Sequence, residues 1–501
     1  MVKRYGKSPF LVLPLETEGG KPLYRQLYEG VRQAILSGQL RPGVRLPATR
    51  QLAEELKLSR TTVLIAFEQL LAEGYVEGRV GDGTYVARTL PDELLANPPA
   101  HEARGKQQAG QRRLSQRGER IASLPLGVTP GAIPQQLFRL GIPALDQFPF
   151  DIWEQLARQQ YRQAKWETLD YSDPAGYYPL RETLAAYLRT ARAVRCTAEQ
   201  VLIVSGSQQA IDLAARVLLD PGEAAWVEDP GYPGPRGALM SQGVRVIPVP
   251  VDREGLEIAQ GQQRAPQARM AYVTPSHQYP LGVVMSLKRR LQLLEWANET
   301  GMWVLEDDYD GEFRYQGRPL ASLQGLDENG QVIYIGTFSK VLFPALRLGY
   351  LVVPPELVAA FRTARALADR HSPGLEQAIV ADFIAQGHFV RHIRRMRTLY
   401  AQRQQMLLAA IGRELAGELE VAPHEAGMHL VGWLGTECSD QEIAQRALKG
   451  GLHVPALSAY TLQARLRPGV LLGYTTMNEA EIQEGVHALK RLLREKEKHQ
   501  R

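Results

Sequence analysis

Lys340 sits in the stretch GTFSKVLFPALRLGY, shortly after the apolar run Val332 to Ile335. A lysine at a strand end, crowded by other groups and short of water, has a lowered pKa and can attack an aldehyde. Thr337 and Ser339 beside it, with Arg347 farther on, suit a phosphate. Upstream, EDDYD closes another apolar run. It offers Asp307 as a carboxylate for a protonated pyridine and Tyr309 as a phenol for a ring hydroxyl. Together these groups describe a site for pyridoxal 5′-phosphate (PLP), held as a Schiff base on Lys340. Singly, each has a plain reading. Ser-Lys alone is a surface lysine, EDDYD alone a solvated acidic turn or a metal-like cluster, and SGSQQA alone a strand-to-helix turn with a serine cap. Their joint order carries the signal.

These groups need elements that bring them together. Residues 136–490 alternate apolar runs with helical patterns: QVLIVSG before SQQAIDLAARVLL, then AAWVEDPGY, VRVIPVPV, RMAYVTPS, a helix from Leu287 to Thr300, MWVLEDDY, QVIYIGTFS and LGYLVVP. That alternation predicts a mostly parallel sheet covered by helices. Ligands of such sheets bind at the carboxyl ends of the strands. Ser205-Gly206-Ser207, Asp229, Ser276, Asp307 and Lys340 all fall at such ends.

The front of the chain carries a different chemistry. Leu23, Leu27, Val31 and Ile35 are spaced four apart, which makes one helical stripe. Thr49 to Leu56 reads as a short second helix. Ser59 is an N-cap for a third, with Val63, Ala66, Phe67, Leu70 and Leu71 on one face. YVEGRVGDGTYVAR then gives two short β segments about a Gly-Asp-Gly turn. Three helices and a hairpin make a winged helix-turn-helix. The third helix would enter a major groove N-terminus first and present Arg60, Thr61 and Thr62 to bases and phosphates. The plainer alternative is a small helical bundle whose first-turn polar residues only cap.

Charge agrees with a reader at the front. Residues 1–90 hold 13 Lys and Arg against 9 Asp and Glu, whereas the chain beyond residue 125 is nearly balanced. A basic front on a neutral body points to a polyanion partner for the front alone. Residues 89–135, rich in Pro, Gly, Gln and Arg, lack apolar periodicity and read as a flexible tether. No apolar run approaches the ~20 residues of a membrane helix. FLVLPL near the start is short and interrupted by proline, so it is not read as a signal peptide. Cys196 and Cys438 are far apart and form no metal-ligand spacing, which suggests no metal and a reducing, cytoplasmic location.

RPGVRLPATRQLAEELKLSRTTVLIAFEQLLAEGYV resembles the DNA-binding domain of the GntR family of bacterial regulators. The resemblance implies operator contacts by Arg50, Ser59, Arg60, Thr61 and Thr62, with Arg45 and the wing residue Gly83 as further candidates. The rear of the chain resembles the fold-type I aminotransferases, which use PLP. It implies that Lys340 forms the Schiff base, Asp307 pairs with the pyridine nitrogen and Tyr309 bonds the ring hydroxyl. Gly206, Ser207 and Gln208, with Thr337, Ser339 and Arg347, would hold the phosphate, and Tyr232 would stack on the ring. Tyr279 in TPSHQYPLG stands where aminotransferases carry the asparagine of an Asn-Pro-x-Gly turn, with His277 and Gln278 as nearby substitutes. Where they carry a late arginine for the substrate carboxylate, this chain has Leu471. Arg236, Arg465 and Arg467 are then the candidates for holding an effector.

The two parts joined by a long linker resemble the MocR subgroup of GntR regulators. The expected organisation is a GntR-like domain over 1–88, a linker over 89–135 and an aminotransferase-like domain over 136–501. The subgroup implies a homodimer, with each DNA-binding domain against the other subunit's body. It also implies binding of a double-stranded DNA operator in response to PLP, an amino acid or an amine. The alternative is an aminotransferase with an accessory DNA-binding domain; a third reading is a DNA-binding protein whose body only dimerises.

Overall fold

The computed structural model describes residues 3–5, 13–15, 21–79, 81–89, 113–124, 136–315, 317 and 321–497. They fall into two compact units, Met1–Arg112 and Arg113–Arg501.

In the first unit, strands β1 (Lys3–Tyr5) and β2 (Leu13–Leu15) pair antiparallel ahead of helices α1 (Leu23–Leu36), α2 (Thr49–Leu56) and α3 (Arg60–Ala72). The α1 stripe buries Leu27, Val31 and Ile35 against Val63, Ala66, Phe67 and Leu70 of α3. Each of these side chains larger than alanine contributes roughly 1.5–3 kcal/mol by leaving water. Leu71, expected on the same face of α3, is instead 51% exposed. It lies one position past Leu70, and the ~100° turn per residue carries it off the buried arc. Ser59 caps α3 as expected, its Oγ accepting the Thr62 amide at 3.0 Å. The wing is the hairpin β3 (Val76–Arg79) and β4 (Gly83–Val86). The segment before α2 joins it, since the Leu46 amide donates to the Thr84 carbonyl and the Val86 amide to that of Val44.

The second unit is built on an eight-stranded sheet in the order β5 (Val201–Val204), β12 (Gly349–Val352), β11 (Val332–Thr337), β10 (Trp303–Asp307), β9 (Met270–Val273), β6 (Ala224–Asp229), β7 (Arg245–Asp252) and β8 (Gly255–Leu256). From β11 through β7 neighbours run parallel; β12 is antiparallel to both β11 and β5. VLIV, MAYV, VIYIGT and GYLV are buried along their whole length, as expected of strands covered by helices on both faces. The reversed strand has a positional consequence. Because β12 starts at the edge where β5 and β11 end, Arg347 just before it arrives beside Gly206 just after β5. Gly349 is paired with both Val204 and Thr337.

A three-stranded antiparallel sheet, β13 (Glu420–Val421), β14 (His429–Trp433) and β15 (Gly469–Gly473), packs with the long helices His388–Glu414 and Glu479–Glu497. Within the stretch read as a tether, residues 116–123 form a helix, α4 (Gln116–Ser123). Ser115 Oγ caps it by accepting the Gly118 amide. Arg117 of α4 donates to the Gln242 side chain at 2.8 Å, just past the helix Pro233–Ser241.

Candidate functional site

Lys340 follows β11 and is half-buried, its Nζ donating to the Gly141 carbonyl at 2.9 Å. Burial pushes the amine below the ordinary lysine value; the Asp310 and Asp307 carboxylates oppose this only in part. Gly141 has φ +63°, and a Cβ there would lie 2.7 Å from Nζ. Glycine at this point is what leaves the amine its place.

Across from the lysine, the acidic run at the end of β10 divides its labour. Glu306 accepts the Leu323 and Gln324 amides at 2.8 and 2.9 Å. Asp308 is held by Arg192 in a two-point pair at 2.7 and 2.9 Å and takes the Tyr334 hydroxyl at 2.6 Å. Asp310 meets His277 Nδ1 at 3.0 Å, and the same nitrogen lies 2.9 Å from the Tyr309 hydroxyl. Asp307 is different. Its Oδ2 accepts the Tyr272 hydroxyl at 2.7 Å, but Oδ1 is buried with no partner. Burial pushes its pKa up to about 7, against the opposing hydrogen bond from Tyr272. A buried, unsatisfied carboxylate oxygen facing a cavity is the group that a protonated ring nitrogen would complete.

The other end of the cavity suits an anion. Gly206 has φ +122° and opens the helix Ser207–Leu218, whose first amides have no intrahelical partner. The Arg347 guanidinium packs so closely that a Cβ on Gly206 would lie 3.5 Å from it. Thr337 and Ser339 complete this end, with the Ser339 amide donating to Thr337 Oγ1 at 3.2 Å.

One cavity of about 270 Å³ is bounded by Gly206, Ser207, Gln208, Tyr232, Tyr279, Asp307, Tyr309, Thr337, Ser339, Lys340 and Arg347. Leu140, Gly141, Tyr272, Thr274, Pro344, Met428 and His429 also line it; sequence reasoning did not single these out. Tyr272 lies inside the apolar run MAYV, where a tyrosine reads as core. Tyr279 stands edge-on to Tyr232 and Tyr309, both at 6.0 Å between ring centres. Gln278, weighed as a substitute for the missing asparagine, donates to Glu228 and to the Pro230 carbonyl instead. Two strand-end groups serve the frame. Asp229 accepts the amides of Leu462, Gln463 and Ala464, and Ser276 accepts from Arg192.

The three arginines considered for an effector are not among the residues that bound this cavity. Arg467 donates to the Leu434 carbonyl at 2.7 Å and pairs with Glu420 at 2.5 Å. Arg465 is exposed, and Arg236 is half-buried on the helix Pro233–Ser241. Leu471 is fully buried on β15 with Val431 and Leu457, and Leu140, Tyr279 and Tyr460 pack against that cluster. The cavity is therefore apolar and aromatic on that side.

In the first unit, Arg60 and Thr61 are exposed in the first turn of α3. Thr62 is half-buried, and its hydroxyl is 2.7 Å from that of Ser59. Arg50 is exposed and lies 3.5 Å from Glu54 one turn on. Arg45 lies over Gly83, whose φ of +113° and lack of a side chain admit the guanidinium at the wing.

Comparison with known proteins joins the two units. Residues 23–86 match the model for bacterial regulatory proteins of the gntR family, and residues 136–489 match that for aminotransferase class I and II. A relative from Rhizobium meliloti, named "Probable rhizopine catabolism regulatory protein MocR", is 40% identical over 96% of this chain and 95% of its own. The chain belongs to the MocR subgroup of the GntR family. Other MocR-like relatives are the HTH-type transcriptional regulator TauR of Rhodobacter capsulatus, 34% identical over 97% of this chain and 100% of its own, and the pyridoxine biosynthesis regulator PdxR of Corynebacterium glutamicum, 30% identical over 91% and 92%. Among solved structures, the α-aminoadipate aminotransferase LysN of Thermus thermophilus matches with a TM-score of 0.68 and 30% identity, covering 76% of this chain and 97% of its own. The MocR-type body thus has the fold of PLP-dependent aminotransferases, and its front unit is a DNA-binding domain.

Proposed function

We propose that this transcriptional regulator binds PLP covalently at Lys340. Its binding to a double-stranded DNA operator then changes with PLP itself, or with a primary amine or amino acid that reacts at the same site. When bound, PLP supplies an aldehyde that condenses reversibly with amines. The observation that carries the reading is the convergence of a buried amine, an unsatisfied buried carboxylate oxygen and an anion-receptive helix start on one cavity.

Each side chain then has a role. Lys340, kept below its ordinary pKa, is the nucleophile. Asp307 faces the ring nitrogen through Oδ1, and Tyr272 orients it through Oδ2. Tyr309 is positioned by His277. Gly206, Ser207, Gln208, Thr337, Ser339 and Arg347 receive the phosphate, while Tyr232 and Tyr279 close the ring's faces and edge. In the front unit, Arg50, Ser59, Arg60, Thr61 and Thr62 meet the operator, and Arg45 and Gly83 meet it at the wing. The protein works as a homodimer in the cytoplasm. Among the described residues, no helix is long and apolar enough to cross a membrane.

The test is direct. Purified protein given PLP should gain visible absorbance that borohydride fixes to Lys340, and Lys340→Ala should not. A DNA footprint should change when PLP or a reacting amine is added. Sustained turnover of an amino acid with 2-oxoglutarate, without any effect on DNA binding, would overturn the proposal in favour of an aminotransferase with an accessory domain.

A further inference from the structure

Helix α3 is apolar on more than its buried face. Val63, Ala66, Phe67 and Leu70 point into the core, but Leu64 and Ile65 are 44% and 40% exposed. Leu64 is four residues after Arg60 and Ile65 four after Thr61, so each stands one turn below an exposed polar residue on the same side. A single exposed leucine needs no explanation. Two adjacent branched side chains are another matter when they continue the face that a helix-turn-helix turns toward DNA, in a unit with excess positive charge. Major-groove edges offer an apolar partner there, the C5-methyl of thymine, which side-chain carbons can cover.

We infer that Leu64 and Ile65 are specificity-determining residues that read thymine methyl groups in the operator, next to the bases met by Arg60 and Thr61. The inference rests on the proposed DNA-reading role of the first turn of α3. It sets the sense of the contact: Arg60 supplies hydrogen bonds and charge, and Leu64 and Ile65 exclude water from methyls one helical turn along α3, nearer the groove's mouth. Leu71 lies along the same side of α3, two turns beyond Leu64 and past the N-terminal half of the helix, so it should take no part.

The experiment uses the full chain and an operator obtained by in vitro selection. Thymines in the half-sites are replaced one at a time by 2′-deoxyuridine, which removes only the methyl. At a contacted position the wild-type protein should lose about fourfold in affinity, the worth of one buried methyl. Leu64→Ala or Ile65→Ala should be weaker on the natural site and indifferent to that same replacement. Leu71→Ala should behave as wild type. The inference is overturned if uracil is tolerated at every position, or if it costs Leu64→Ala and Ile65→Ala as much as the wild type. It is also overturned if Leu71→Ala matches Leu64→Ala, which would mark the exposed stripe as a protein-docking face. Arg60→Ala separates the two levels. If it weakens binding while uracil is neutral, only the methyl contact falls; if it has no effect, the reading role of α3 falls with it.

Discussion

Asp307→Asn should move stability and cofactor binding in opposite directions. In the cofactor-free protein this carboxylate is buried and its pKa is pushed up to about 7. The folded form therefore holds the proton more tightly than the unfolded chain. Its contribution to stability is fully present below the unfolded value near pH 4 and is lost as pH rises through 7. A shift of roughly 3 units, at ~1.4 kcal/mol each, makes the ionised carboxylate cost about 4 kcal/mol at pH 8 but only about 1.5 kcal/mol at pH 5. Asparagine cannot ionise, so the variant lacks this slope. Stripped of cofactor, it should gain on the wild type by ~2–3 kcal/mol between pH 5 and pH 8. Urea unfolding followed by tryptophan fluorescence reads this cleanly, because all 6 tryptophans lie beyond residue 112 and report on the second unit alone. PLP should show the reverse. Loss of a charge-assisted hydrogen bond costs ~1.5–3 kcal/mol, so the affinity at pH 8 should fall about tenfold to a hundredfold. Equal pH dependence in both proteins would refute the raised pKa of Asp307, and unaltered affinity for PLP would refute the assignment of Oδ1 to the ring nitrogen.

Other expectations are simpler. Arg347→Ala should lose most of the preference for PLP over pyridoxal, which lacks the phosphate, by ~1.5–3 kcal/mol in paired titrations, with little change for pyridoxal. Gly141→Ala places a methyl where the lysine amine sits and forces alanine to a positive φ. Capture of PLP, followed by absorbance after mixing, should slow at least about tenfold, with a stability loss of ~1–2 kcal/mol in urea. Ser59→Ala removes the cap of α3, and hydrogen exchange of the Thr62 amide should speed about fivefold, equivalent to ~1 kcal/mol. Arg192→Met leaves Asp308 charged and unpaired in the core. It should destabilise the second unit by ~3–5 kcal/mol.

What could be seen beforehand was local or ordered along the chain. The stripe at Leu27, Val31 and Ile35, the Ser59 cap and the wing glycines need only their immediate neighbours, and α1 to α3 follow from them. Strand ends were legible because apolar runs stop where the sheet stops, so Asp307 and Lys340 could be marked without coordinates. Contacts between distant segments were not. Nothing near Gly141 in the chain announces that its carbonyl meets a lysine 199 residues away. Tyr272 is hidden inside a strand, and His429, with Met428 just before it, comes from a different sheet. Arg467 looked available until its partner, Glu420, was brought to it by the pairing of β13 with β14. Helix α4 has no apolar stripe to mark it; none of its residues is buried, and its cap and the Arg117 bond sustain it.

The cavity draws its walls from two sheets. Lys340, Asp307 and the end formed by Gly206, Thr337 and Arg347 hang from strands of the large sheet, which is covered on both faces. The opposite wall, His429 and the adjoining Met428, comes from the start of β14, where the Gly427 amide donates to the Phe313 carbonyl, the Tyr315 amide donates to the Glu425 carbonyl and His429 Nε2 lies 2.9 Å from the Pro280 carbonyl. Both walls rest on one buried core, so an occupant of this space touches the large sheet and the small one at once.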